Sequence, residues 1–415
     1  MNPVSESVPY PPEVPESNPF SQDVRIIALI GLVHGTSHFF HLLLPTLFPW
    51  LMPEFGLDFV GVGGTVTVFF VVSGLGQALA GFLVDRLGAV KVLCFGMLCF
   101  SLAAVVLAGA GSHAQLFIAA GIAGLGNSVF HPADFTILNR RVSPPRLGHA
   151  FSVHGLSGNL GWAAAPVFLT GFAALFDWRW AALLAGLLPL PALLLLWLYR
   201  DLLGSQADKA TPADAGASNA TVSRFGFLAS LPVWLCFLFF FLITAAFGAI
   251  QNFSPTILKE LYGLSVAAGA ASLSGYMLAA AGGIIVGGFV AQKAAHDGQI
   301  AVALGLAAFC AIVLAAQWMP GWSIPALMAG VGFFTGIAGP SRDLLVRRAA
   351  TARFGQAAYG RIYGFVYSGL DLGLATAPLL FGAMMDHGQF ARVLVGVAFL
   401  QVAAVFSALR VGRAT

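Results

Sequence analysis

Charge is scarce in this chain. Asp, Glu, Lys and Arg make up 9% of its 415 residues, while 58% are hydrophobic. A soluble domain carries about a quarter charged residues, and one this apolar would expose patches wide enough to aggregate. The formal net charge of +3 is small and scattered, with no basic stripe, which speaks against a nucleic-acid partner. Cysteine is rare too. Cys94, Cys99, Cys236 and Cys310 all stand in apolar blocks without Cys-x-x-Cys spacing, and they read as small buried hydrophobes. No Gly-x-x-x-x-Gly-Lys-Ser/Thr occurs, so no P-loop hydrolyses ATP here. No His-Glu-x-x-His occurs either, which leaves a zincin-type membrane protease without support. Neither an enzyme activity nor a cofactor is expected.

What the chain does have is long apolar runs, and lipid is the solvent that suits them. Twelve blocks are long enough to cross a bilayer as helices: 24–51, 60–84, 89–110, 114–139, 149–175, 179–199, 226–251, 266–291, 300–318, 322–346, 357–384 and 390–410. Residues 1–22, rich in Pro, Ser and Glu, read as a disordered cytoplasmic tail; they lack the pattern of a secretory signal, so the first span is expected to stay as an anchor. With both termini inside, only Arg179, Lys259 and Arg392 of the 20 basic residues fall outside. The polar stretch 201–224 reads as a cytoplasmic linker between two six-helix halves, 23–200 and 225–415.

The halves look duplicated. Pro132, Asp134 and Arg140-Arg141 recur as Pro340, Asp343 and Arg347-Arg348; Gly158, Asn159, Gly161 and Pro166 recur as Gly369, Asp371, Gly373 and Pro378. Such repeats mark secondary transporters, whose site lies between the halves near the midplane. The expected fold is therefore an all-α membrane protein of twelve helices in two pseudo-symmetric halves. Gly-x-x-x-Gly spacing at Gly332/Gly336 and Gly369/Gly373 marks close helix packing.

Ionisable groups are costly in hydrocarbon, so those within the spans are the candidates for function. His34, His38 and His41 fall within about 60° on one face of span one. Imidazoles in a stripe can exchange protons, bind an anion or ligate a metal, and they can also serve as packing hydrogen bonds. His131 precedes the helix-bending Pro132 in span four, and Asp134 can orient a histidine, carry a proton, or pair with Arg140 or Arg141. His154 and Asn159 are about a turn apart in span five. Asp371, flanked by Gly369 and Gly373 far from any loop, is the best single candidate for a proton carrier, with a salt bridge to Arg342 or Arg361 as the alternative. Arg342, beside Asp343, can clamp a carboxylate or phosphonate or serve as a topology charge. Tyr359, Tyr363 and Tyr367 share a face of span eleven and offer hydroxyls or plain packing. If a metal binds, His34, His38 and His41 are its ligands.

The loop after span two, Gly81-Phe-Leu-Val-Asp85-Arg86-Leu-Gly88-Ala-Val-Lys91, resembles the signature loop of the major facilitator superfamily. The resemblance implies that Gly81 and Gly88 allow close approach while Asp85 and Arg86 form a gating charge network. The second copy, Gly288-Phe-Val-Ala-Gln292-Lys293, has Gln in place of the Asp. The segments from His34 to His38, Pro49 with Glu54-Phe55, Gly124 to Pro132 and Gly158-Asn159 look like the fosmidomycin-resistance group of efflux proteins over about the first 170 residues. The chain departs from that group at His38 and Ala133, where the group has acids, and at Ala165, where many exporters have Gly before Pro166. The likeness implies a monomeric carrier in a bacterial inner membrane that exports a small organic, anionic or drug-like solute in exchange for protons by alternating access. Import of an anionic metabolite, a metal ion or a metal chelate through the histidine face is the alternative, and an intramembrane metalloenzyme or sensor is a third.

Overall fold

The computed structural model describes residues 19–204, 226–291, 296–354 and 359–414. It holds twelve helices long and apolar enough to cross a membrane. Spans one to six are Phe20–Phe55, Phe59–Gln77, Ala89–Ala108, His113–Arg141, Pro144–Leu175 and Trp178–Leu198. Spans seven to twelve are Leu231–Tyr262, Val266–Val290, Asp297–Ala316, Gly321–Arg342, Phe365–Asp386 and Phe390–Arg413. Most of the expected tail (1–18) and linker (205–225) lies outside the described residues; the linker's first residues end a helical turn, Arg200–Leu203. Large apolar side chains such as Leu98, Trp197, Phe309 and Phe399 stand exposed around the bundle, as a lipid-facing surface requires.

The duplication is visible in the packing. Span one lies on span five as span seven lies on span eleven, and span two lies on span four as span eight lies on span ten. These contacts are close enough to need glycine. A Cβ on Gly161 would overlap the carbonyl of Gly35, and one on Gly373 would overlap the carbonyl of Phe241. Gly332 and Gly336 likewise meet the backbone of Tyr276 and Ala280 in span eight.

The halves join where span two meets span eleven and where span five meets span eight. The described hydrogen bonds and ring contacts between the halves lie at the middle of the bundle or at the end remote from the chain termini. There, Asp386 at the end of span eleven accepts from the first two amides of span two, Phe59 N (2.6 Å) and Val60 N (3.1 Å). Thr67 donates to the Ala375 carbonyl at 2.7 Å, and the Phe253 ring touches Phe48 and Phe59. Trp162 meets Phe247 near the middle.

Candidate functional site

Three spans are broken at proline, the sixth at Leu188 and two others beside candidate residues. Pro45 has no N–H to return to the carbonyl of His41, and the helix stops at His41 and resumes at Leu43. Pro132 likewise leaves the Ser128 carbonyl without its partner, and span four breaks between Asn127 and Phe130. These two breaks lie in neighbouring helices, so side chains from spans one, four and five converge in the interior of the first half.

Asp134, fully buried, is the centre of this cluster. His154 Nε2 stands 3.1 Å from its Oδ2 and His34 Nδ1 stands 3.4 Å from the same oxygen. His34 stacks on His154 with ring centroids 3.5 Å apart, and His38 lies 4.3 Å beyond His34. His131 lies 5.3 Å from His34 and uses Nδ1 on Gln77 Oε1 at 3.2 Å. Asp134 meets imidazoles from two other spans; the pairing with Arg140 or Arg141 allowed by sequence is not what it makes.

His41 belongs to a different chain of bonds. The Trp162 indole N–H can only donate, and it points at His41 Nδ1 (3.3 Å). The His41 proton is therefore on Nε2, which donates to Asn127 Oδ1 at 2.9 Å, and Asn127 Nδ2 donates to Ser73 at 2.8 Å. This fixes His41 as one neutral tautomer and occupies both its nitrogens. The ligand atoms that the fold brings within 4.8 Å of one another are those of His34, Asp134 and His154, and those of His34, His38 and His131. The three stripe histidines do share a face, with His38 and His41 stacked at 4.8 Å.

The other candidates lie apart. Asn159 donates to the Gly155 carbonyl one turn back on its own helix (3.0 Å). Asp371 is half-buried on span eleven at the seam between the halves, where a Cβ on Gly74 of span two would sit 3.5 Å from its Oδ2. Its carboxylate makes no hydrogen bond or ion pair among the described residues. Arg342 holds its guanidinium 4.7 Å from the centre of the Phe240 ring. A Cβ on Gly81 would meet nothing within 4 Å, Gly88 takes a left-handed φ of +88°, and Arg86 is exposed. The side chains of Asp85, Asp343, Tyr359 and Tyr363 lie outside the described residues.

The two halves differ at this place. Matching the Gly373–Phe241 contact to Gly161–Gly35 puts Phe240, Thr244 and Phe247 where His34, His38 and His41 stand. Counting from Pro340 as from Pro132 puts Arg342, rather than Asp343, in the place of Asp134. The acid–imidazole contact of the first half becomes a cation–ring contact in the second. Sequence reading did not single out Gln77, Asn127, Ser73 or Trp162. Two of these are amides in apolar spans, which is a usable signal.

A duplicated twelve-helix bundle with a buried polar cluster and a carboxylate at the seam between its halves is the build of a membrane transport protein. The family model of the Major Facilitator Superfamily matches residues 27–322, and the chain belongs to that superfamily. It is 27% identical over 382 residues to the fosmidomycin resistance protein of Escherichia coli (strain K12), covering 90% of each chain. The likeness to that protein therefore runs nearly the whole length and beyond the first half. It is also 27% identical over 353 residues to the probable nitrate/nitrite transporter NarK2 of Mycobacterium tuberculosis, covering 82% of this chain and 84% of that one. Among solved structures, a bacterial homolog of the human lysosomal transporter Spinster, in an inward-facing and occupied conformation, superposes with a TM-score of 0.71 at 16% identity, covering 96% of each chain.

Proposed function

We propose that the protein is a proton-coupled secondary transporter that exports a small organic anion by alternating access, with Asp371 as the proton carrier. The observation that carries this reading is the position of Asp371: a carboxylate with no partner among the described residues, on span eleven against Gly74 of span two, where the two halves meet. When the halves close at the end that bears the termini, this group loses its water. Closing over an ionised carboxylate is costly, whereas closing over a protonated one is not. Protonation of Asp371 therefore favours passage between the two access states, and protons moving down their gradient drive the cycle. The relatives support a small anionic or drug-like solute, since one is a fosmidomycin resistance protein and another a probable nitrate/nitrite transporter. With the basic residues inside, both termini are cytoplasmic, the seal made by Asp386 lies on the outer side, and the monomer sits in a cytoplasmic membrane.

The test is movement of radiolabelled fosmidomycin in proteoliposomes with an imposed pH gradient. Asp371→Asn is expected to abolish gradient-driven movement while leaving downhill exchange and the melting temperature in place. Full coupled transport by Asp371→Asn would rule out its role. Uptake of an anionic metabolite or a metal species is the second reading, favoured by the buried imidazoles; reversing the imposed gradient separates the directions.

A further inference from the structure

The imidazole cluster plays no part in that proton cycle, yet it is the densest group of ligating side chains among the described residues. His34, Asp134 and His154 are buried and belong to three different spans. Each offers one atom, and the three atoms lie within 4.8 Å of one another. His34 Nδ1 and His154 Nε2 approach the same Asp134 oxygen at 3.4 and 3.1 Å. An ion with ligand bonds of about 2.0–2.1 Å in tetrahedral array holds its ligand atoms about 3.3 Å apart. The two imidazole-to-carboxylate separations already fall around that value; His34 and His154, stacked with ring planes 22° apart, give up that stack to turn both nitrogens onto one ion.

The unpaired atoms also point to a ligand. Asp134 Oδ1 and both ring nitrogens of His38 are buried with no hydrogen-bond partner among the described residues, and His34 Nδ1 has only its 3.4 Å approach to Asp134. Buried polar atoms are rarely left so, and His38 contributes two of them while only 8% exposed. His34, His38 and His131 form a second set whose ligand atoms also lie within 4.8 Å of each other. The space is kept clear by Gly158, where a Cβ would come within 2.6 Å of His38 Nδ1 and 3.1 Å of His34 Nε2.

We infer that His34, Asp134 and His154 bind one divalent transition-metal ion of the zinc class inside the first half, with His38 and His131 lining its remaining side. Imidazole and carboxylate without thiolate suit zinc, nickel and copper alike, and disfavour calcium and magnesium, which take oxygen ligands. The equivalent positions of the second half hold Phe240 and Arg342, so the second half does not repeat the set at the matching positions.

The probe is Zn2+ alone, added to chelator-stripped purified full-length protein in detergent, with bound metal counted by mass spectrometry after equilibrium dialysis. One equivalent per chain is expected. Asp134→Asn and His154→Gln should each weaken binding at least about 100-fold, beyond what loss of an outer-shell partner costs. Gly158→Ala, which removes no ligand, should weaken it too, while His113→Gln, a histidine of the loop-side turn of span four, should leave it unchanged. X-ray absorption at the zinc edge should report imidazole nitrogens at about 2.0 Å. No retained zinc in wild-type protein that melts cooperatively would overturn the inference, as would undiminished zinc in the Asp134→Asn/His154→Gln double variant. Asp371→Asn should keep its zinc. Lost coupling with intact zinc binding, or the reverse, therefore tells the failure of one reading from the failure of the other.

Discussion

Asp386 offers the sharpest test of how the halves hold together. It ends span eleven, where its charge is disfavoured by its own helix, and its carboxylate instead reaches the positive end of span two. Span two has a cap of its own in Asp58, which accepts from Gly61 N at 2.7 Å, so Asp386 satisfies the amides that Asp58 does not reach. Removing a side chain that caps a helix start costs about 0.5–2 kcal/mol. The contact is solvent-exposed, which places the expected value for Asp386→Ala near about 1 kcal/mol. Because the bonds exist only when this end is closed, the loss acts on the equilibrium between access states and not on folding. A change of about 1 kcal/mol shifts the ratio of open to closed by about fivefold. Spin labels at Ser112→Cys and Met319→Cys, in a background without the four native cysteines, would report the separation of the two halves at this end. The longer-distance population should rise in Asp386→Ala, less so in Asp386→Asn, which keeps one acceptor oxygen. An unchanged distance distribution, or a fall in the longer population, would refute the argument that Asp386 latches the halves.

Two further outcomes follow from the packing. His41→Ala leaves the buried Asn127 oxygen and the Trp162 indole without partners, which should cost about 1–3 kcal/mol and lower the melting temperature; an unchanged melt would show that the chain of bonds is not formed. Gly161→Ala drives a methyl into the Gly35 carbonyl and should destabilise by about 3 kcal/mol, seen as loss of monodisperse protein, whereas Gly171→Ala, with nothing within 4 Å, should be silent.

The twelve spans were legible because hydropathy over some twenty residues is a strong signal, and the duplication because Pro132/Pro340 and Gly161/Gly373 survive in both halves. The shared face of His34, His38 and His41 was legible from helical period alone. That Asp134 would choose His34 and His154 over Arg140 and Arg141 was not, since nothing in a sequence says which spans are neighbours or how far a broken helix turns. That Asn159 would turn its amide to the carbonyl four residues back in its own helix was not legible for a related reason, since a helix offers that acceptor to any amide. Asp386 was overlooked although its place at the wrong pole of its own helix was a signal that it serves another.

The glycine contacts have a mechanical side. Where side chains separate two helices, the pair can slip by exchanging rotamers. Between spans one and five, and again between seven and eleven, the carbonyl of one helix lies directly against the α-carbon of the other at Gly161 and Gly373, leaving nothing to rearrange. In the alternating access proposed above, each half then moves as a stiff lever against the other along the contacts of span two with span eleven and span five with span eight. A small displacement at the Asp386 end is then delivered to the opposite mouth as torque rather than absorbed along the way.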